Sequence, residues 1–322
     1  MVENQSYLFS IDFDKTIANT FETSPNGIGV LKAYDMSILN IFGSEGYDIY
    51  QNKLNGLQNR APSELVDLLV SFGDEKKLLK QAGDFFNDNA VRLLSLLPEE
   101  DKKNNGFNWD KKSEKLVDLL TWMLAAEKCS FLSDEIGKKL VDGQTWPKPC
   151  NGFIDFYESI NEINKRGGIK IDTAIISSGH TKFIEKTFET FGLDLPNYVI
   201  TDDELRRVRN IPINRKTKPG AYPFAVIHRS WLRDNYPNYL TENEYHKDKI
   251  IYFGDDQNKD GSMAKNCRVT FGWFNEGSVD PFSRIDNGFS FNDWRVVGDI
   301  VNSQIETLVR GGSMSQVFLE NE

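Results

Sequence analysis

Five short apolar runs set the tightest limit on how this chain can fold. They lie at 7–11, 173–176, 198–200, 250–253 and 268–274 and are partly β-branched or aromatic. Runs this short and continuous suit strands covered on both faces, the pattern of a parallel sheet. Helical stripes flank the second run. Phe153, Phe156, Tyr157, Ile160 and Ile163 recur at helical spacing before Gly167-Gly168, and Phe183, Ile184, Thr187, Phe188 and Phe191 do so before Gly192. A glycine at that place suits a helix C-terminus. Strands alternating with helices predict βαβ units, and so an α/β fold with a doubly wound, Rossmann-like parallel sheet.

The first two runs are separated by roughly 125 residues, far beyond an ordinary crossover. That gap carries helical stripes of its own. Leu65, Leu68 and Leu69 follow Pro62-Ser63; Phe85, Phe86, Leu93, Leu94 and Leu97 stop at Pro98; Leu116, Leu119, Leu120, Met123 and Leu124 form a third set. The charged stretch 99–115 reads as a solvated loop. The expectation is an α-helical domain at 21–146 inserted into a core of 1–20 and 147–322. The proline-rich "WPKPCNG" at 146–152 would be the return linker.

The chain has 322 residues, 39% hydrophobic and 27% charged, with 22 Phe and 6 Trp, enough for a sizeable core. A net charge of −10 argues against non-specific binding to nucleic acid or an anionic membrane surface. It does not forbid an anionic substrate, because a bound metal ion reverses the local field. Cys129, Cys150 and Cys267 are scattered and odd in number, as expected of reduced thiols. The sequence holds no apolar stretch of the length a transmembrane helix needs. The first strand begins too early for a cleavable signal peptide ahead of it. A cytoplasmic protein is expected.

In open α/β sheets, ligands bind at the carboxyl ends of the strands. The first run ends in "SIDFDKT", with Asp12 and Asp14 flanking Phe13. A strand continued that far would place both carboxylates on one face, an odd arrangement without a cation. The second run ends in Ser177-Ser178-Gly179-His180, and the fourth in "FGDDQNKDG" with Asp255, Asp256 and Asp260. Between the third and fourth lies "NRKTKPG", with Lys216 and Lys218.

This set resembles the haloacid dehalogenase superfamily of phosphohydrolases. "DFDKT" matches D-x-D-x-T through Asp12, Asp14 and Thr16, and "TAIISSGHT" resembles the second motif. "KTKPG" resembles the third through Lys218, and "GDDQNKD" the fourth. The resemblance covers about 1–20 and 147–300, and the insertion sits where the family carries a helical C1-type cap. It implies a Mg²⁺-dependent phosphatase acting on a phosphorylated small molecule, with Asp12 as nucleophile and Asp14 as general acid and base. Thr16, Ser177, Ser178, Gly179 and Lys218 would bind substrate. Mg²⁺ would be held by Asp12, the Asp14 carbonyl, Asp255 and the outer Asp260. Ser177 is favoured over Ser178 because Ser177-Ser178-Gly179-His180-Thr181 then matches the phosphoserine-phosphatase-like pattern. Asp260 competes with Asp256, and Lys218 with Lys216. A phosphomutase shares all four motifs, and a non-catalytic phospholigand-binding protein is a further alternative.

His180 could line the site; His228 and His246 lack metal-type spacing. The basic run Arg206, Arg207, Arg209, Arg215 and Lys216 reads as solvated surface, and Arg60 as a candidate substrate contact from the insertion. No GxxxxGK[ST], GxGxxG or GxSxG motif occurs, which weakens nucleotide-triphosphatase, dehydrogenase and serine-hydrolase readings.

Overall fold

The computed structural model describes residues 5–54, 62–96, 108–208, 211, 213–237 and 246–319. The chain divides into two compact units, Met1–Thr20 with Gly143–Glu322, and Phe21–Asp142.

In the first unit the strands are β1 (Gln5–Ile11), β2 (Ala18–Asn19), β3 (Lys148–Pro149), β4 (Ile169–Ile176), β5 (Tyr198–Ile200), β6 (Ile250–Gly254), β7 (Thr270–Phe274), β8 (Phe282–Ile285) and β9 (Gly288–Phe291). Seven of them form one sheet in the order β5-β4-β1-β6-β7-β9-β8. Every neighbouring pair is parallel except β8 with β9. The fold is α/β and Rossmann-like, but its sheet is mostly rather than wholly parallel. The added edge is a hairpin that the apolar runs did not predict. Its signal was the Asn287-Gly288 pair between alternating apolar residues.

Side-chain alternation explains why β1 can lie at the centre. Leu8 and Phe9 are fully buried and, as neighbours in a strand, face opposite ways. Leu8 belongs to a core with Ile227, Trp231, Tyr252 and Phe271. Phe9 packs in an aromatic layer with Phe156 and Phe253, at ring-centroid distances of 6.0 and 5.3 Å. Helices cover both faces: Tyr222–Asn235 packs Ile227 and Trp231 on the Leu8 side, and Phe153–Arg166 packs Phe156 on the Phe9 side, with Thr181–Phe191 beside it. Phe153–Arg166 ends at Gly167 (φ 76°), and Thr181–Phe191 at Gly192 (φ 71°). The left-handed φ at these ends is the conformation glycine adopts at least cost.

β2 and β3 pair antiparallel, Ala18 with Pro149 and Asn19 with Lys148. The backbone N–H of Cys150 also donates to the Ile17 carbonyl at 2.9 Å. The chain therefore leaves the sheet and returns to it through one small ribbon.

The second unit is helical among the described residues: Val30–Lys53, Pro62–Phe72, Glu75–Asp88, Ala90–Leu96 and Glu114–Ser133. Its core buries Ile38, Ile41, Phe42, Leu69, Leu78, Leu79, Leu120, Met123 and Leu124. The stripe expected to run from Phe85 to Leu97 breaks at Asn89, whose backbone N–H and side chain both bond to the Phe85 carbonyl. Most of the charged stretch 99–115, and Arg60, lie outside the described residues. No helix among the described residues is long and apolar enough to cross a membrane.

Candidate active site

β1, β4 and β6 are adjacent and parallel, so their carboxyl ends share one edge of the sheet. Asp12 follows β1, and its N–H donates to the Phe253 carbonyl of β6 at 2.8 Å. The strand then stops. The Ile17 and Ala18 amides close on the Phe13 carbonyl at 2.9 and 3.1 Å, with Lys15 in the left-handed region at φ 58°. Asp14 thus leaves the strand line and does not share a strand face with Asp12, because the turn begins between them. The Thr20 hydroxyl donates to Asp14 Oδ1 at 2.5 Å. The Thr16 hydroxyl is buried without a hydrogen-bond partner among the described residues.

Lys218 stands in a turn closed by the Gly220 N–H on the Thr217 carbonyl at 2.7 Å. Its buried ammonium donates to Asp12 and, at 2.8 Å, to Asp260 Oδ1. The Tyr252 hydroxyl donates to that same oxygen at 2.9 Å, and the Asp256 amide to Asp260 Oδ2 at 3.3 Å. Asp256 turns away instead: its Oδ1 accepts from the Asn258 and Lys259 amides at 2.8 and 3.1 Å. Lys216 is likewise elsewhere, bonded to the Val208 carbonyl at 3.0 Å. Of each competing pair, Asp260 and Lys218 are the members that meet Asp12.

Asp12, Asp255 and Asp260 each bring a carboxylate oxygen within 4.8 Å of the others. Burial pushes the Asp12 carboxyl well above the usual range; Lys218 opposes this, while Asp260, Asp255 and Asp14 add to it. Burial and Asp260 push Asp255 up to about 6, against Lys15 and Lys218. Burial alone would lower the Lys218 pKa, but Asp12 and Asp260 outweigh it and hold the ammonium charged. Three carboxylates facing this one ammonium are short of positive charge. A small divalent cation supplies it, and Mg²⁺ is a hard cation that prefers oxygen ligands of this kind. The donor chemistry therefore fits Mg²⁺.

On the β4 side, Ser177 is buried and Ser178 exposed. The Gly179 N–H donates to Ser177 Oγ at 2.9 Å. A Cβ at Gly179 would lie 3.1 Å from Ser177 Oγ and 3.9 Å from Asp14 Oδ2. The glycine therefore keeps the space between these two side chains open. His180 Nδ1 lies 2.7 Å from Asp203 Oδ1, whose other oxygen accepts from the Thr181 amide at 3.0 Å. His228 packs at a tilt against Phe224 and stacks with Trp231, and His246 stacks with Tyr236.

Sequence reasoning missed Thr20 and Tyr252. Thr20 had a signal, a hydroxyl one short turn beyond Asp14. Tyr252 had none, because an aromatic residue inside a strand reads as core.

No family model and no curated protein matches the chain. Among solved structures it is similar to the HAD-hydrolase YfnB from Bacillus subtilis bound to magnesium, at 13% identity and TM-score 0.43, over 93% of this chain and 100% of that one. It is similar to CbbY from Rhodobacter sphaeroides in complex with phosphate, at 11% identity and TM-score 0.43, over 92% and 97%. It is also similar to 2-haloacid dehalogenase from Pseudomonas syringae pv. Tomato DC3000, at 15% identity and TM-score 0.39, over 96% and 100%. At these identities and scores the likenesses say nothing of activity.

Proposed function

We propose that the chain is a Mg²⁺-dependent phosphatase of the haloacid dehalogenase type, hydrolysing a phosphomonoester of a small molecule. One observation carries the reading: the Lys218 ammonium joins Asp12 to Asp260 with the Asp255 carboxylate alongside, at the carboxyl edge of the sheet. A lysine held there offers a fixed positive charge to a phosphoryl group, and clustered carboxylates suit a hard cation.

Asp12 attacks phosphorus; a bond forms from its carboxylate oxygen and the ester P–O bond breaks. Asp14 gives its proton to the departing alkoxide oxygen. The Thr20 hydrogen bond to Oδ1 orients that carboxyl. Asp14, now ionised, takes a proton from water as the water oxygen attacks the aspartyl-phosphate. The bond between phosphorus and the Asp12 oxygen breaks, releasing inorganic phosphate and restoring both residues. Ser177 and the amides beside it hold the phosphoryl oxygens, and Lys218 offsets their charge. Mg²⁺, held by Asp12, the Asp14 carbonyl and Asp255 with Asp260 outside, would screen the phosphate from the anionic nucleophile.

The Asp12→Asn variant tests this. It keeps the shape and removes the charge, so phosphate release from a panel of phosphorylated metabolites with Mg²⁺ should fall to background while circular dichroism is unchanged. Turnover at the wild-type rate would end the assignment. Product analysis separates water from a second hydroxyl as acceptor, and so a phosphatase from a phosphomutase.

A further inference from the structure

Behind each acidic segment of the cluster stands an aromatic hydrogen-bond donor. The Trp294 indole N–H, fully buried, donates to the Thr16 carbonyl at 2.8 Å, in the turn that carries Asp14. The Trp273 indole N–H donates to the Asp255 carbonyl at 2.9 Å. Its strand β7 pairs with β6, with Trp273 opposite Gly254 just before that aspartate. The Tyr252 hydroxyl donates to Asp260 Oδ1 at 2.9 Å, beside the Lys218 ammonium.

Like charges crowded at one edge push their loops apart, more so in the dry setting of a buried site. A rigid donor on the protein side of each loop opposes that. It fixes where the carbonyl or carboxylate points without adding a charge of its own. Residues that orient metal ligands from behind in this way set affinity by about 10- to 100-fold.

We infer that Trp273 and Tyr252 are positioning residues for the divalent-cation site, acting through Asp255 and Asp260, with Trp294 holding the Asp14 turn in the same manner. This rests on the reading of the acidic cluster as a Mg²⁺ site. The substitutions that test the effect are Tyr252→Phe, which keeps the ring and deletes only the donor, and Trp273→Phe, which deletes the donor with half of the indole and so needs a control for lost volume. The control is Trp231→Phe. It deletes an indole donor of the same kind, to Asp172 Oδ2 at 3.1 Å, in the Leu8 core.

The experiment is Mg²⁺ titration by calorimetry on the full-length protein, with the metal-free melting temperature of each variant. Trp273→Phe should weaken Mg²⁺ about 10-fold or more, and Tyr252→Phe, which acts on the outer Asp260, should weaken it measurably but by less. Their activity should return towards the wild-type kcat at saturating Mg²⁺, while Trp231→Phe leaves the Mg²⁺ Kd unchanged. Equal Mg²⁺ affinity in the wild type and both variants would overturn this inference alone. So would an equal loss in Trp231→Phe, which would mean general softening of the fold. No Mg²⁺ binding to the wild type would overturn the metal reading itself, and the inference with it. If one variant fails to fold, the other decides the question.

Discussion

Asp14 lies off the strand with one oxygen engaged by Thr20. On the phosphatase reading Asp14 is the general acid, a role that contributes about 10²–10⁴-fold, so Asp14→Asn should lower kcat for alkyl phosphates by that order. The loss should be much smaller for an aryl phosphate, whose leaving group needs little protonation. Equal losses would count against Asp14 as the acid. Asp255 gives a prediction about pH. Burial and Asp260 push its carboxyl up to about 6, above the ordinary value of about 4. The folded metal-free protein therefore binds an extra proton between those values. The associated stability is fully present below about pH 4 and is lost as pH rises through about 6. On the Mg²⁺ reading the cation would take the place of that proton, so its stabilising effect should grow over the same window. Melting temperatures with and without Mg²⁺ should diverge more at about pH 7.5 than at about pH 5. A pH-independent difference would exclude Asp255 as a ligand.

The edge hairpin shows how one backbone position can hold an element in place. Gly288 begins β9 at φ 155°, opposite Phe271 of β7. A Cβ there would lie 1.9 Å from the Phe271 carbonyl oxygen, a contact only a backbone shift could relieve. Such a shift would pull β9 from β7 and disturb Phe289 and Phe291, both fully buried. Gly288→Ala should therefore cost about 3 kcal/mol or more, read as a lower urea midpoint at a similar slope. Several strands of the sheet were legible beforehand, since Tyr198–Ile200 and most of β1 and β6 are continuous apolar runs. β8 was not, because Phe282, Ser283, Arg284 and Ile285 mix polar and apolar residues on a half-exposed edge. A strand that buries one edge leaves a weaker pattern than one buried on both faces.

For the molecule as a whole, the β2–β3 ribbon brings the two ends of the helical segment side by side. That segment has a buried core of its own within Phe21–Asp142. We expect that replacing residues 26–144 with a short linker leaves a sheet unit that still unfolds cooperatively. On the phosphatase reading, that unit keeps Mg²⁺ binding and slow hydrolysis of small aryl phosphates. It should lose discrimination among natural substrates if the insertion selects them. Loss of a cooperative melt in the shortened protein would mean that the sheet unit depends on the helical one to fold.

The sequence alone determined the strand–helix alternation, the helix stops at Gly167 and Gly192, and which segments end at the carboxyl edge of the sheet. These are local matters: periodicity decides which face is buried, and a left-handed φ calls for glycine. Only the tertiary structure decided which of two nearby polar groups turns inward. Ser177 is buried and Ser178 exposed; Lys218 meets Asp12 while Lys216 meets the Val208 carbonyl; Asp260 meets Lys218 while Asp256 caps the amides of Asn258 and Lys259. It also decided that Tyr252 and the tryptophans Trp273 and Trp294 would spend their polar atoms on the acidic loops. Residues one or two apart carry the same residue-type signal. The direction each side chain takes depends on a turn closing and on partners as far as 278 residues away in the chain, which no local pattern encodes.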